Sequence, residues 1–237
     1  YVSLPHTYLS VYHALSHSAA QIRKKLQVEW IESERFEQTD KLHNIEYLSK
    51  FDGIVVPGGF GRRGSEGIIR TADYARIRNI PYLGICFGFQ LALVAFARNA
   101  CGIKEANSEE VESKVRDPIV EFMPEQRDNL TLGGSMRLGS HQVVIRPNTM
   151  AKKIYLTNTI SGRHRHRYEL NQRYLEILEK GGLVLSGFSD GGKRTEILEL
   201  PKHKFYFATQ YHSEFSSRLG KPERSFLAFV ESASSRA

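Results

Sequence analysis

The segment PYLGICFGFQ, residues 81–90, carries a single cysteine between two glycines where strand-like sequence becomes helix-like. Its first six residues are typical of a buried strand, and residues 89–98 are apolar on nearly every side, as in an interior helix. A nucleophile at a sharp strand-to-helix turn needs small neighbours, and Gly84 and Gly88 supply them. The helix N-terminus favours the thiolate of Cys86 by about 0.3–2 kcal/mol. The pattern predicts a reactive cysteine, against the alternative of a buried structural one.

Strands and helices alternate on both sides of this segment. Upstream, apolar spacing predicts a helix at 8–26, and the runs VEWIES and GIVV are typical of strands, the second leading through a glycine-rich loop to a helix at 65–79. Downstream, a polar stretch at 106–137 precedes the strand-like runs HQVVIR, KIYLTNTI, GLVLSGF, TEILEL and FYFATQY, with SDGGK as a hairpin turn. This order predicts one α/β domain over residues 1–237, with a central, mainly parallel sheet flanked by helices and with additional antiparallel strands.

Composition excludes several classes of function. The 237 residues are 41% hydrophobic and 25% charged, which suits one full core, and the net charge of +7 suits anionic partners. The two cysteines lack CxxC spacing and the nine histidines show no recurring ligand spacing, so neither a disulfide framework nor a metal site is expected. No apolar run approaches the ~20 residues that cross a bilayer. We expect a cytoplasmic protein with no membrane partner and, since the chain has no initiator methionine, a fragment.

The segment QYHSEF, residues 210–215, follows an apolar strand and contains a histidine and a glutamate two positions apart. At a strand end such residues face the same way, so Glu214 can orient the imidazole of His212. A cysteine nucleophile needs a base of this kind, and the base needs an orienting acid. Taken alone, His-x-Glu is more often structural. The segment gains its interest from Cys86, because the ends of sheet strands lie along one edge.

The stretch VVPGGFGRRGSEG, residues 55–67, has glycines in G-x-G-x-x-G spacing after a strand and before a helix. This spacing matches the dinucleotide fingerprint, but a proline interrupts the junction and the acidic residue expected about 20 positions later is missing. We therefore interpret the stretch as a loop beside the nucleophile. The backbone N–H groups of Gly59 and Phe87 are candidate donors to an oxyanion, and one such donor contributes about 2.7–4 kcal/mol.

PGGFG, GICFGFQ and QYHSEF together resemble the class I glutamine amidotransferases, glutaminases that use Cys, His and Glu. The segments EGIIRTADYAR, ANSEE, GGSMRLG and RHRHRYELN are similar, in order and across nearly the whole chain, to the glutaminase domain of the CTP synthase family. Two positions depart from the family pattern. Ser213 stands where a proline is usual between histidine and glutamate, and the acidic end of ANSEE varies. Neither departure removes a reacting group.

The resemblance implies roles for individual residues. Cys86 would attack the side-chain amide of L-glutamine, His212 would protonate the departing ammonia and then activate water, and Glu214 would hold His212. The glutamine-binding positions that it implies are Gly59, Phe87, Gly88, Phe89, Gln90, Glu110 and Arg167. Of these, Glu110 and Arg167 match positions that hold the amino and carboxylate groups. A zwitterionic substrate does need one charge of each sign at a fixed separation.

The resemblance also implies partners outside this chain. In the family, a preceding amidoligase domain, the synthase domain, uses the ammonia to convert UTP to CTP with ATP and magnesium, while the glutaminase domain itself has no cofactor. Because no G-x-x-x-x-G-K-[ST] segment occurs, we expect the synthase half to be absent from these residues, and one sheet strand to be missing with it. GTP is the family's allosteric activator, and Arg63 is a candidate contributor. The full-length protein is expected to be a homotetramer.

Two other classes of function are alternatives. The alternating RHRHR at 163–167 suits phosphates and hence a non-catalytic nucleic-acid-binding module. Strand residues point alternately to two faces, so only about half of these charges would meet one ligand, and no nucleic acid is expected. A γ-glutamyl hydrolase-like cysteine hydrolase shares the Cys-His pattern and differs in its acceptor. The sequon at Asn129 is interpreted as a chance match.

Overall fold

The computed structural model of this chain describes residues 5–37, 45–123 and 136–235. Asn129 and part of the polar stretch at 106–137 lie outside the described residues. The α-helices are α1 (Leu9–Gln21), α2 (Ser65–Arg78), α3 (Phe87–Asn99), α4 (Met150–Tyr155), α5 (Leu175–Lys180) and α6 (Arg224–Ser234). The strands are β1 (Ile54–Val56), β2 (Tyr82–Ile85), β3 (Ala106–Ser108), β4 (Asp117–Phe122), β5 (Arg137–Ile145), β6 (Thr159–His166), β7 (Tyr168–Leu170), β8 (Val184–Ser189), β9 (Arg194–Glu199) and β10 (Tyr206–Thr209).

The strands form a seven-stranded sheet in the order β1-β2-β10-β9-β8-β5-β6 and a three-stranded sheet in the order β3-β4-β7. In the large sheet, β2 pairs in parallel with β1 and β10, and every pairing from β10 to β6 is antiparallel. The α/β fold with antiparallel additions is confirmed, but over the described residues this sheet is mixed rather than mainly parallel. The connections explain the difference. The predicted hairpin turn, now seen at Asp190–Gly192, joins β8 to β9, and so short a connection permits only antiparallel neighbours.

Two predicted strands are wrong. Residues 28–32 of VEWIES lie in a segment that has no regular secondary structure and joins no ladder among the described strands, and Ser33 begins a 3-10 helix, Ser33–Phe36. This segment and β1 line the same cavity of about 690 Å³, so space rather than a ladder lies beside them. KIYLTNTI is divided between α4 and β6, because the side chain of Thr149 accepts from the N–H of Lys152 and starts a helix there. The expectation that one sheet strand is missing stays a prediction.

Two apolar clusters cover the faces of the large sheet. On one face, α2 and α3 pack with Tyr82 of β2 and Tyr206 of β10, whose rings stack with centroids 4.6 Å apart. On the other, α1 and α6 pack against Leu83 of β2 and Phe207 of β10. Successive residues of these two strands face opposite clusters, as a pleated strand requires. Strands β2 and β10 are therefore enclosed on both faces, and every one of their residues is buried. Among the described residues, no helix is both long and apolar enough to span a membrane.

Two glycines let α3 begin directly against β1 and β2. A Cβ atom at Gly88 would lie 2.3 Å from the carbonyl oxygen of Val56, and one at Gly84 would lie 2.9 Å from the carbonyl oxygen of Gly88. The hydroxyl of Tyr82 donates to the same Gly88 carbonyl at 3.0 Å. No methyl group fits where backbones approach this closely. The small neighbours predicted around Cys86 are thus a packing requirement of the turn.

We expect Gly88→Ala to lower the free energy of unfolding by about 3 kcal/mol, because the added methyl group would overpack a rigid backbone contact. Helix propensity alone gives the opposite sign, a gain of about 1 kcal/mol for alanine inside a helix. Urea denaturation of the two proteins measures the difference.

A matched control is Gly192→Ala, where φ is +92° and no atom lies within 4 Å of the new Cβ. It should show only the cost of the left-handed backbone, about 1 kcal/mol. A Gly88→Ala protein as stable as the parent would show that α3 can move away from β1.

Candidate active site

Cys86 occupies the sharp turn between β2 and α3. Its backbone has φ 53° and ψ −98°, and α3 begins at the next residue. Its N–H donates to the carbonyl of Thr209 at 2.7 Å, and its carbonyl accepts from the N–H of Gln90 at 3.1 Å. A positive φ outside glycine costs about 1–3 kcal/mol and persists only where the surroundings over-determine it. Here the ladder to β10 and the first turn of α3 fix the residue from both sides.

His212 lies just beyond the end of β10, the neighbour of β2 in the sheet. Its ring Nδ1 lies 2.8 Å from Oε1 of Glu214, and its backbone N–H donates to the carbonyl of Arg163 on β6 at 2.8 Å. Because the carboxylate accepts from Nδ1, Nε2 is the ring nitrogen left for chemistry. The predicted orientation of His212 by Glu214 has the geometry that it requires.

The glycine loop after β1 brings the nucleophile and the base into contact with one residue. A Cβ atom at Gly58 would lie 2.8 Å from Cε1 of His212 and 3.6 Å from Cβ of Cys86. Only a residue without a side chain fits between them. The three segments quoted from the sequence therefore meet at the carboxyl ends of β1, β2 and β10.

The electrostatics of the site favour a charged pair. Burial opposes a charge on His212, but its hydrogen bonds, with Cys86 first and Glu214 second, outweigh burial and raise the pKa of His212 to about 10. An imidazolium ion beside the sulfur favours the thiolate, which is the nucleophilic form of cysteine. Phe215 stacks on the ring of His212 with centroids 5.4 Å apart. The pair is thus partly shielded from water, where its attraction is stronger than at an open surface.

The two residues that carry the candidate oxyanion donors lie next to each other. A Cβ at Gly59 would lie 3.3 Å from the ring of Phe87, which is the first residue of α3. Gly59 follows β1, and Phe87 follows the nucleophile. Their role as donors stays a prediction, which this adjacency supports.

Glu110, one of the two residues predicted to bind a zwitterion, also reaches this loop. Oε1 of Glu110 accepts from the N–H of Gly61 at 3.3 Å. Burial raises the pKa of Glu110, and the Gly61 hydrogen bond and the charge of Arg167 oppose that rise. Arg167 is therefore close enough to act on Glu110, and the role of the two groups in binding glutamine stays a prediction.

The other predicted glutamine-binding positions lie behind the nucleophile. Phe89 is fully buried and Gln90 is 2% exposed. The Nε2 group of Gln90 donates to the carbonyl of Tyr168 at 2.9 Å and to Oε1 of Gln210 at 3.2 Å. The substrate role of Gly88, Phe89 and Gln90 stays a prediction.

Arg63, the candidate GTP contributor, lies at the surface and pairs with Glu34 at 2.6 Å. Its regulatory role also stays a prediction. Within the described ranges, no group of three or more His, Cys, Asp or Glu side chains has the arrangement of a metal site.

A buried polar cluster next to β6, formed by Arg137, His164, His166 and Glu196, was given no role from the sequence. Within the RHRHR segment the strand alternation is confirmed, because Arg163 and Arg165 are exposed and His164 and His166 are buried. Burial first, and the nearby guanidinium of Arg137 second, lower the pKa of His164 to about 2 and that of His166 to about 3. Both imidazoles are therefore neutral. The alternating burial was predictable, but the partners were not.

Arg137 and Glu196 form the charged part of this cluster. Their side chains are 6% and 0% exposed, with 2.6 Å between Nη1 and Oε1. Arg137 also donates to the hydroxyl of Ser189 at 2.8 Å. Burial raises the pKa of Glu196, and the guanidinium of Arg137 opposes this rise. The pair ties β5 to β9 through the polar interior next to β6.

Removing one partner of this pair should be costly. We expect Arg137→Met to lower the free energy of unfolding by about 3 kcal/mol, because it leaves Glu196 buried without its cation. The control is Lys180→Met, which breaks the exposed pair of Lys180 with Glu176 and should leave stability nearly unchanged. Denaturant midpoints of the two variants measure both effects. If the two substitutions lowered the free energy of unfolding equally, Glu196 would have to be solvated by water in the absence of Arg137.

Comparisons with known proteins relate this geometry to a family. The family described as "Glutamine amidotransferase class-I" matches residues 4–232. The "CTP synthase" of Archaeoglobus fulgidus is 48% identical over 98% of this chain and 43% of its own length. That of Thermococcus gammatolerans is 49% identical over 100% of this chain and 44% of its own length. The chain spans less than half the length of these curated relatives.

Solved structures agree with these matches. The structure described as "Trypanosoma brucei CTPS - glutaminase domain with bound acivicin" superposes with a TM-score of 0.93 at 35% identity, covering 100% of this chain and 92% of that chain. A Thermoplasma acidophilum protein described as a "putative gmp synthase" has a TM-score of 0.60 at 17% identity, covers 94% of this chain and 88% of that chain, and shares the fold alone. The chain belongs to the class I glutamine amidotransferase family and, within it, is related to the glutaminase domains of the CTP synthases.

Proposed function

We propose that this chain hydrolyses L-glutamine to glutamate and ammonia through a thioester on Cys86. The observation that carries the proposal is the meeting of a strained cysteine with a histidine that is oriented by a carboxylate, at the ends of adjacent parallel strands. A structural cysteine would need neither the positive φ of Cys86 nor the raised pKa of His212.

In the first half of the reaction, the thiolate of Cys86 attacks the side-chain amide carbon of glutamine. The amide oxygen takes up negative charge in the tetrahedral intermediate, and the N–H groups of Gly59 and Phe87 are the candidates to stabilise it. His212 then transfers its proton to the amide nitrogen. The carbon–nitrogen bond breaks, ammonia leaves, and a γ-glutamyl thioester remains on the sulfur.

In the second half, water replaces the thiol. Neutral His212 accepts a proton from water as its oxygen attacks the thioester carbon. The intermediate collapses, glutamate leaves, and the sulfur departs as the thiolate beside the imidazolium ion of His212, so the starting charges are restored. Glu214 keeps Nδ1 protonated throughout and so holds one tautomer of the ring.

Specificity for an amino acid comes from the other side of the glycine loop. Glu110 would bind the α-amino group, and Arg167 the α-carboxylate, with the side-chain amide extended toward the sulfur. The opposite signs of the two groups and the placement of Glu110 on Gly61 support these roles.

The ammonia would be used by a synthase domain that precedes this chain in the full-length protein. The length of the curated relatives supports this proposal, since over half of each lies outside the match. In that domain ATP and Mg²⁺ would drive amination of UTP to CTP, GTP would act as allosteric activator, and the full-length protein would be a cytoplasmic homotetramer. Neither the γ-glutamyl hydrolase nor the nucleic-acid alternative gains support from these relatives.

The direct test of the proposed function is Cys86→Ala in the full-length protein. We expect ammonia release from glutamine to be lost, while ammonia-dependent amination of UTP continues, because the second reaction does not use the sulfur. Coupled assays of ammonia and of CTP measure the two activities.

Cys101→Ala is the matched control. This second cysteine lies away from the glycine loop, with its sulfur 3.6 Å from the carbonyl of Ile177, and should be dispensable for ammonia release. A glutamine-like electrophile should label Cys86 and spare Cys101. Glutamine hydrolysis at the parent rate by the Cys86→Ala protein would contradict the proposed function.

A further inference from the structure

A chain of buried amide groups leads from the backbone of β7 to the nucleophile. The carbonyl of Tyr168 accepts from Nε2 of Gln90 at 2.9 Å, and the same Nε2 donates to Oε1 of Gln210 at 3.2 Å. Nε2 of Gln210 in turn lies 3.8 Å from the sulfur of Cys86. Both glutamine side chains are almost wholly buried, at 2% and 1% exposure.

The chemistry of the groups fixes the direction of this chain. A backbone carbonyl can only accept, so the end of Gln90 that faces Tyr168 must be its NH₂ group. That NH₂ group also faces Gln210, which must therefore present its oxygen. Gln210 is then left with its own NH₂ group toward Cys86. The usual ambiguity of amide orientation is removed, because reversing either glutamine would set two donors or two acceptors face to face.

The carbonyl of Tyr168, where this series of hydrogen bonds begins, also accepts from a second donor. Nδ1 of His166 lies 2.9 Å from the same Tyr168 carbonyl, so this nitrogen carries a proton. Burial first, and then the charge of Arg137, keep His166 neutral by lowering its pKa to about 3. Both lone pairs of the Tyr168 oxygen are engaged, by Gln90 and by His166. If Gln90 turned, its own oxygen would face the oxygen of Tyr168 and the hydrogen bond would be lost.

Within the part of the chain that the structure describes, the carbonyl of Arg165 and the ring of His212 also interact with the sulfur, and their effects are opposite. The carbonyl oxygen of Arg165 lies 3.9 Å away and, as an acceptor, favours the protonated thiol. His212 favours the thiolate, because its imidazolium charge is stabilised by the sulfur. A third neighbour that donates without carrying charge would add to the effect of His212 and remain in place after His212 gives up its proton.

We propose that Gln210 holds an N–H donor on the sulfur of Cys86 and that Gln90 acts as a positioning residue by fixing the orientation of Gln210. This inference rests on the proposed function and extends it. The donor would stabilise the thiolate before attack and again when the thioester breaks, the step at which His212 has just taken a proton from water. Gln90 thereby has a role that requires no contact with substrate.

The test is the rate at which iodoacetamide alkylates Cys86 in the full-length protein at one fixed pH, followed by mass spectrometry of the peptide that contains it. Gln210→Met keeps the volume and removes the donor, and we expect alkylation to slow about tenfold. Glutamine hydrolysis should show a similar fall in kcat, with KM within about twofold, because the interaction is with the nucleophile and not with bound glutamine.

Gln90→Glu tests the donor-to-acceptor order of these hydrogen bonds while leaving Gln210 in place. A carboxyl group at this position cannot donate to both the Tyr168 carbonyl and Gln210, so Gln210 should turn its NH₂ group toward residue 90 and its oxygen toward the sulfur. We expect alkylation to slow at least as much as in Gln210→Met. The controls are Gln142→Met and Gln142→Glu on the exposed face of β5, which should alkylate at the parent rate.

The coupling of the two residues provides a further comparison. Gln90→Met should slow alkylation by a smaller factor, and adding it to Gln210→Met should cause no further loss, because one residue acts through the other. If Gln210→Met does not fold, as judged by near-UV circular dichroism, the Gln90 variants carry the test alone.

Parent-like alkylation in folded Gln210→Met or Gln90→Glu protein would overturn the proposal. Independent, multiplying effects of the two methionine substitutions would overturn the role of Gln90. Alkylation does not depend on glutamine turnover. If the parent protein did not hydrolyse glutamine but the variants still alkylated in the expected order, the result would count against the proposed function and not against the role of Gln210.

Discussion

The parallel pairing of β2 with its two neighbours is the constraint on which the site depends. Parallel strands end at the same edge of a sheet, so the loop after β1, the turn after β2 and the segment after β10 must converge. Each contributes one component: the glycine loop, the strained cysteine and the histidine. The pairing also explains why Gly84 and Gly88 cannot carry side chains, since α3 has to start where three backbones already meet.

Burial determines what the charged groups of this site can do. His212 keeps a proton in a poorly solvated position only because Cys86 and Glu214 both interact with it. On strand β6, burial and the adjacent guanidinium of Arg137 lower the pKa of His164 and His166, and both rings are neutral. The same side chain thus serves as a cation beside the sulfur and as an uncharged hydrogen-bonding group inside β6. The partners that the sheet places next to each ring decide the difference.

The sequence allowed the parts of the site with local signatures to be predicted. The small residues around Cys86, the two-residue spacing of His212 and Glu214 and the alternation of RHRHR each reflect the geometry of one turn or strand. What the sequence did not reveal depends on partners distant in the chain. Glu196 is part of the run TEILEL, which has the pattern of an ordinary strand, and only the fold places Arg137 beside it.

The failed strand predictions have similar causes. VEWIES has the composition of a strand, but beside it lies a cavity instead of a ladder. KIYLTNTI is β-prone in its residues, yet the cap formed by Thr149 makes its first half helical. Gln210 is part of the quoted segment QYHSEF, but the sequence does not show that its NH₂ group faces the sulfur. That orientation follows from the carbonyl of Tyr168 on β7, which acts through Gln90. Local pattern specified the elements, and non-local polar contacts specified the chemistry.

The chemistry proposed for this site requires that His212 is an imidazolium ion next to Cys86 before glutamine binds. This requirement is tested most directly by NMR of the protein labelled with ¹⁵N-histidine, which reports the protonation of each ring nitrogen as pH rises. We predict that His212 keeps both protons well above the ordinary histidine pKa and titrates near pH 10, and that Cys86→Ala lowers this value. A His212 ring that is already neutral at about pH 8, some 1.5 units above the ordinary histidine value, would contradict it.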